Sequence, residues 1–133
     1  MQQITTFLMF EGRAEEAMIF YISLFRNSEI LSVSRYTAGD AGAEGTVKYA
    51  IFSLNGQQFI CIDSSLKHGF TFIPAMSLYV NCESEEQITH LFRKLSENGQ
   101  ILMPLDTYPF SKKYGWIADR FGVSWQLNFE QTV

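Results

Sequence analysis

Positive charge is scarce and scattered in this chain: ten Lys and Arg stand against fourteen Asp and Glu, and no basic run exceeds Lys112-Lys113. Binding to nucleic acid or to an anionic membrane rests on Lys and Arg neutralising phosphates, so both partner classes are excluded. Cysteine is nearly absent. Cys61 and Cys82 fall in different expected elements, which fits a reduced pair better than a disulfide framework or a zinc site. The only histidines are His68, in an expected connector, and His90, on the outer face of an expected helix, where solvated structural roles are the reading. No apolar run reaches membrane-spanning length, and no basic flank with a following apolar segment opens the chain, so a cytoplasmic protein without a secretory signal is expected. The Gly-rich stretch 37–45 lacks the Gly-Lys-Ser/Thr ending of a phosphate-cradling loop and reads as a flap.

What is present is aromatic. The 133 residues, with 47% hydrophobic content, twelve Phe, six Tyr and two Trp, suit one domain able to bury a core without staples and to line a pocket. The segment 124–129 alternates strictly, placing Ser124, Gln126 and Asn128 on one side of a strand and Trp125, Leu127 and Phe129 on the other. An apolar face wants a core; amides and hydroxyls suit a wet cavity or a bound polar molecule.

The remaining elements read in order. Ile4 to Phe10 is a strand; Ala14, Ala17, Met18, Tyr21, Leu24 and Phe25 recur at helical spacing, with Glu15 and Glu16 in the first turn where the helix dipole favours negative charge. Strands follow at Ile30 to Tyr36, Val47 to Leu54 and Gln57 to Asp63, the last two flanking the hairpin signal Asn55-Gly56. After a connector the pattern begins again. Ala75 to Val80 is a strand, Ser84 caps a helix with Gln87 placed for a capping box, and Asn98-Gly99 ends it. Gln100 to Leu105 and Tyr114 to Asp119 are strands separated by a loop, Asp106 to Lys113, and the alternating strand closes the chain.

Leu8 answers Leu78, Glu15-Glu16 answer Glu85-Glu86, Met18 answers Ile88, and Gly56 and Gly122 each introduce the final strand of a half. The fold expected is therefore α+β: two βαβββ modules forming a curved, cup-shaped mixed sheet with the helices outside. Module one covers about 1–66, a connector 67–74 and module two 75–133. Thr6 and Leu8, with Ser77 and Tyr79, are expected to face the concavity beside Gln126 and Asn128; Phe7 and Met9 are expected to face the helices.

These residues resemble a known family. The opening Ile-Thr-Thr-Phe-Leu-Met-Phe, the run Ala14-Glu15-Glu16-Ala17, the pair Phe20-Tyr21, the hairpin Ser53-Leu54-Asn55-Gly56 and the closing stretch Asp119 to Leu127 are similar to the vicinal oxygen chelate superfamily. Within it the chain resembles the PhnB-like branch, often labelled demethylubiquinone methyltransferase-like. The resemblance implies the paired-module fold, a cup that holds a ligand or metal, and frequent dimerisation. Metal-using members place His or Glu on the first and last strands of each module; the aligned positions here are Thr6, Ile60, Ala75 and Gln126, none a good ligand for a divalent ion. Nor does either half carry the Gly-rich strand-to-helix turn and acidic residue of the usual cofactor-binding fold, so no metal and no cofactor are expected.

The leading functional reading is a small-molecule binding protein. Gln126 and Asn128 would hydrogen-bond the ligand, Thr6, Ser77 and Tyr79 would orient it, and Leu8, Ile60, Ile62, Tyr114 and Trp116 would supply wall. Tyr108, Phe110 and Lys112 would close the mouth. An enzymatic alternative, a lyase or isomerase, recruits Asp63, Asp119 and Tyr49 and leaves open whether any reaction is catalysed, although Asp119 reads rather as a partner of Arg120 or a cap of the turn before Gly122. A third reading makes the aromatic surface a homodimer interface.

Overall fold

The computed structural model describes residues 2–130; the last three residues of the expected second module lie outside the described ones. The chain divides into two compact units, the first ending at Gly69 and the second beginning at Phe70.

The first unit comprises β1 (Thr6–Phe10), α1 (Ala14–Leu24), β2 (Glu29–Arg35), β3 (Val47–Leu54) and β4 (Gln57–Asp63). Its strands form a four-stranded mixed sheet in the order β1-β4-β3-β2, with β1 parallel to β4 and the other pairs antiparallel. The β3–β4 turn is where the sequence places it. Asn55 and Gly56 both take positive φ, 50° and 83°, the backbone that twists a two-residue hairpin in the same sense as its strands. On the other side, Tyr36 and Thr46 close the long β2–β3 loop through backbone hydrogen bonds, and Asp40 accepts from the amide and hydroxyl of Thr37 within it.

The sheet has one buried face. Leu8 lies in register with Cys61, Phe10 with Asp63, and Ala50 with Cys61 in turn; all are buried, as are Ala14, Ala17, Met18 and Tyr21 of α1. Phe52 and Phe59 stack beside them with ring centroids 5.3 Å apart. Helix α1, packed on this face, lacks a local cap: Arg13 at its N-cap makes no side-chain bond to the helix. The carboxylate of Asp63 does that work from the end of β4. Its Oδ1 accepts the backbone N–H groups of Gly12 and Ala14 at 2.8 and 2.9 Å, and its Oδ2 that of Val47 at 2.9 Å. A negative charge at a helix N-terminus is stabilised by the exposed amides there.

The second unit repeats the plan: β5 (Leu78–Asn81), α2 (Glu85–Ser96), β6 (Gln100–Tyr108), β7 (Ser111–Ala118) and β8 (Ser124–Phe129), in the order β5-β8-β7-β6 with β5 parallel to β8. The α+β class and the two βαβββ modules are those the sequence predicts. Hydrogen bonding divides the strands into two four-stranded sheets, one in each module. Ser84 caps α2 as expected, its Oγ accepting from Gln87 N at 3.0 Å. The returning bond from the Gln87 side chain goes one residue earlier than in the usual capping box, to the N–H of Glu83 at 2.6 Å. Ile88, Leu91 and Leu95 of α2 are buried, as are Ile117, Trp125 and Leu127 of the sheet. Gly115 belongs to this face: a Cβ built there would stand 2.6 Å from the Phe92 ring, so its missing side chain lets the helix close down on β7.

Several boundaries differ from expectation by one or two residues, and two regions by more. The first strand of the second half begins at Leu78 rather than Ala75, because Pro74 and Ala75 form a turn closed by Met76 N donating to Ile73 O at 3.4 Å. The expected loop from Asp106 to Lys113 is mostly strand. β6 runs through Tyr108, β7 starts at Ser111, and three register shifts between Ile101 and Tyr108 absorb the residues that break strict alternation.

Candidate functional site

In each unit one sheet face is buried with a helix, and the opposite face carries the candidate residues. In the second unit, register assigns that face directly. Tyr79 pairs with Gln126 and Asn81 with Asn128 across β5–β8, while Trp116 pairs with Gln126 and Tyr114 with Asn128 across β7–β8. Paired residues point the same way, and alternation sends Trp125 and Leu127 to the core. Six of the expected residues, Ser77, Tyr79, Tyr114, Trp116, Gln126 and Asn128, are thereby brought to one face.

They are joined by hydrogen bonds. Tyr114 donates its hydroxyl to Gln126 Oε1 at 2.5 Å, and Gln126 Nε2 donates to Ser77 Oγ at 3.1 Å. Ser77 Oγ also meets Ser124 Oγ at 2.7 Å, and the indole N–H of Trp116 donates to Ser124 Oγ at 2.8 Å. Asn128 forms a second centre, its Oδ1 accepting a short hydrogen bond from Ser111 and its Nδ2 donating to Asn81 Oδ1 at 3.4 Å. Ser124, Ser111 and Asn81 are network members that the sequence reading did not place in the site. The alternation that selected Gln126 also contains Ser124, whereas Ser111 and Asn81 are brought in by pairing alone.

Tyr108, Phe110 and Tyr114 form an aromatic cluster at the end of the β6–β7 hairpin. Phe110 meets Tyr114 edge-on with centroids 4.9 Å apart, and Tyr108 stacks on Phe110 at 5.6 Å. The rings cover Tyr114, and its burial, with Tyr79 and Tyr108 nearby, raises its pKa above the ordinary tyrosine value. Tyr79 keeps about half its surface open, at 53%. Lys112, expected beside the mouth, is exposed on the same hairpin.

In the first unit the corresponding face is apolar and its composition differs from expectation. Ile60 and Ile62 lie on it, half-buried, in register with Phe7 and Met9 of β1 and with Ile51 of β3. Thr6 and Leu8 do not. Both alternate with Phe7 and Met9 and so point to the helix side, where Leu8 is buried at 6% exposure. Both faces of β1 are apolar at their centre, so alternation carries no sign there. The repeat did carry one: Leu78, which Leu8 answers, pairs with the core residue Trp125.

The other candidates have structural partners. Asp119 Oδ1 accepts from the amides of Phe121 and Val123 at 2.8 and 3.1 Å, and its Oδ2 accepts the indole N–H of Trp125 at 2.8 Å. Asp63 has the three amide partners described above. Both carboxylates are buried in backbone caps, which leaves them ill placed for acid–base work on a ligand. Burial pushes the Cys61 thiol up to about 12, aided by the charge of Asp63, and the Cys82 thiol up to about 11; both thiols are free. His68 Nε2 meets Ser64 Oγ at 2.9 Å and His90 Nδ1 meets Arg93 at 3.3 Å. An open depression of about 530 Å³ lies over α2, lined by Glu85, Glu86, Thr89, His90, Arg93 and Lys113. Its mixed charges are those of a solvated helix surface.

Among the described residues no three His, Cys, Asp or Glu side chains gather as a metal site. The donor set at the positions aligned with metal ligands does not fit such an ion. Ile60 and Ala75 offer hydrocarbon, Thr6 points to the helix side, and the Gln126 oxygen accepts from Tyr114. A nucleotide-type methyl donor fits no better, since the β1–α1 connection holds the single glycine Gly12 and the β5–α2 connection holds none.

The architecture defines a class of fold, two βαβββ modules each with a four-stranded sheet and one helix. The chain belongs to the family described as 3-demethylubiquinone-9 3-methyltransferase, the PhnB-like branch, whose model matches residues 2–128. It is similar to the PhnB protein from Bacillus cereus, which carries the same methyltransferase name, at 64% identity over 97% of this chain and 100% of that one, with a TM-score of 0.95. Protein PA1353 from Pseudomonas aeruginosa is 25% identical over 99% of this chain and 100% of that one, with a TM-score of 0.86. A glyoxalase-related enzyme from Fulvimarina pelagi shares the fold at 17% identity, covering 98% and 89% with a TM-score of 0.62. No curated protein matches the chain. Among the described residues no helix is long and apolar enough to cross a membrane.

Proposed function

We propose that this protein binds a small, partly aromatic organic molecule against the polar face of its second sheet. The observation that carries this reading is Gln126, a half-buried amide held between Tyr114 and Ser77 and flanked across the sheet by the open ring of Tyr79 and by Trp116. Its orientation is set before any ligand arrives, and a polar group locked by neighbours loses little entropy on binding. Aromatic walls supply contact area, and the amides supply direction. Ile60, Ile62, Phe7 and Met9 offer an apolar surface of the same kind in the first module.

The methyltransferase chemistry in the family's name is not part of this proposal, because neither module has the turn that would hold such a cofactor. Nor is a lyase or isomerase reading favoured, with Asp63 and Asp119 committed to backbone amides.

Thermal-shift screening of small aromatic and anionic compounds, followed by calorimetric titration of the hits, tests the proposal. Hits are expected to raise the melting temperature of wild-type protein and to lose at least about tenfold in affinity, roughly 1.4 kcal/mol, in Gln126→Leu. Hits that bind the Gln126→Leu protein unchanged would remove the site from this face.

A further inference from the structure

The buried donors at both ends of the network determine where every proton in it lies. Tyr114 is 4% exposed, and the acceptor its hydroxyl reaches is the Gln126 side chain. A buried hydroxyl without an acceptor is costly, so the Gln126 oxygen must face Tyr114 and its nitrogen must face Ser77. At the other end an indole can only donate, so Trp116 fills one acceptor site of Ser124. Ser124 is buried as well, and its proton has Ser77 Oγ, 2.7 Å away, as its acceptor. Ser77 thus accepts twice, from Ser124 and from Gln126 Nε2. Among the described residues, its own proton and the second amide proton of Gln126 have no hydrogen-bond acceptor.

We propose that the Ser77 hydroxyl donates its proton to a carbonyl oxygen of the ligand, and that the ligand of this face is a planar aromatic compound carrying such a carbonyl. The second amide proton of Gln126 points about 120° away from the one that Ser77 accepts, so it serves a separate acceptor on the ligand or solvent and leaves the carbonyl to Ser77. The ring would lie along Tyr79 and Trp116, which flank Gln126 on the neighbouring strands. A ligand that presents only a hydrogen-bond donor meets donors here and is rejected, because its polar group and those of the site are left unpaired. This inference rests on the small-molecule reading above and narrows it to a chemical class.

The test compares 2-acetylnaphthalene with 2-ethylnaphthalene, which differ in the carbonyl oxygen, by NMR titration of the 133-residue protein. Signals of Tyr79, Trp116 and the Gln126 side-chain amide are followed in wild type, Ser77→Ala and Ser77→Thr. The acetyl compound is expected to bind at least about tenfold tighter than the ethyl compound in wild type, to lose that advantage in Ser77→Ala and to regain it in Ser77→Thr, which keeps the hydroxyl. Equal binding of the two compounds on this face overturns the carbonyl assignment and leaves the small-molecule reading standing. Absence of shifts at Tyr79 and Trp116 with both compounds, together with no thermal-shift hit, overturns both. An advantage that persists unchanged in Ser77→Ala overturns the assignment of Ser77 as the carbonyl's donor.

Discussion

The indole N–H of Trp125 donates to Asp119 Oδ2 at 2.8 Å, while the other oxygen of the same carboxylate accepts two amides of the turn between them. The pair connects the turn that starts β8 to the largest side chain in the core of the second module. Gly122, at φ 92°, completes that turn by donating its amide to Asp119 O at 2.9 Å.

Asp119→Asn keeps the shape and loses the charge, and it places an amide nitrogen opposite either the indole or the turn amides. A loss of about 1–3 kcal/mol in urea unfolding is expected. Combined with Trp125→Phe, the loss should fall short of the sum of the single changes, since both remove the same contact. Strict additivity would show that the bond contributes little.

Asp63→Asn should be at least as damaging, by about 2–3 kcal/mol, because three amides from two separate segments converge on this one carboxylate. Amide exchange is the discriminating readout: Ala14 and Val47, 33 residues apart in sequence, should lose protection together. Unchanged exchange at Val47 would limit Asp63 to a helix cap.

Burial raises the pKa of Cys61 to about 12 and of Cys82 to about 11, against an ordinary thiol value of 9.0. Because the folded state holds these protons more tightly than the unfolded chain, the stability they contribute is complete below about pH 9. It falls as pH rises toward 11 and 12. The raised pKa of Tyr114 acts in the same direction. A denaturation midpoint that declines between pH 9 and 11, with both thiols unreactive toward a maleimide at pH 8 until the protein unfolds, is the expected result.

Ser84→Ala removes the hydroxyl that accepts from Gln87 N and should cost about 1 kcal/mol. Gln87→Ala should cost less, as Glu83 is exposed and water can replace the side-chain oxygen at its N–H. Equal losses would point to a cooperative box in which neither bond persists alone.

Most of the fold was legible because local chemistry repeats. Alternation delimits β8 at Ser124–Phe129, the Asn55-Gly56 pair marks the hairpin, Ser84 and Gln87 mark the start of α2, and the duplicated order of elements yields two βαβββ modules. The polar side of β8 was legible for the same reason. Where both faces of a strand are apolar, as in β1, periodicity carries no sign, and Thr6 and Leu8 were assigned to the wrong face. Asp63 is visible in the sequence only as a carboxylate available for chemistry, since nothing local says that a side chain will cap backbone from a distant segment, whereas the cap of Asp119 on the turn before Gly122 is local and legible, its amide partners lying two and four residues on.

The sequence by itself determined the class of fold, the element order and the hydrogen-bonding residues of the last strand, because these follow from spacing within a few residues. Tertiary pairing decided which of those groups remain available. Ser77 lies 47 residues from Ser124 and 49 from Gln126, so only the parallel β5–β8 ladder brings them together and turns five separate polar side chains into one network with a defined proton direction.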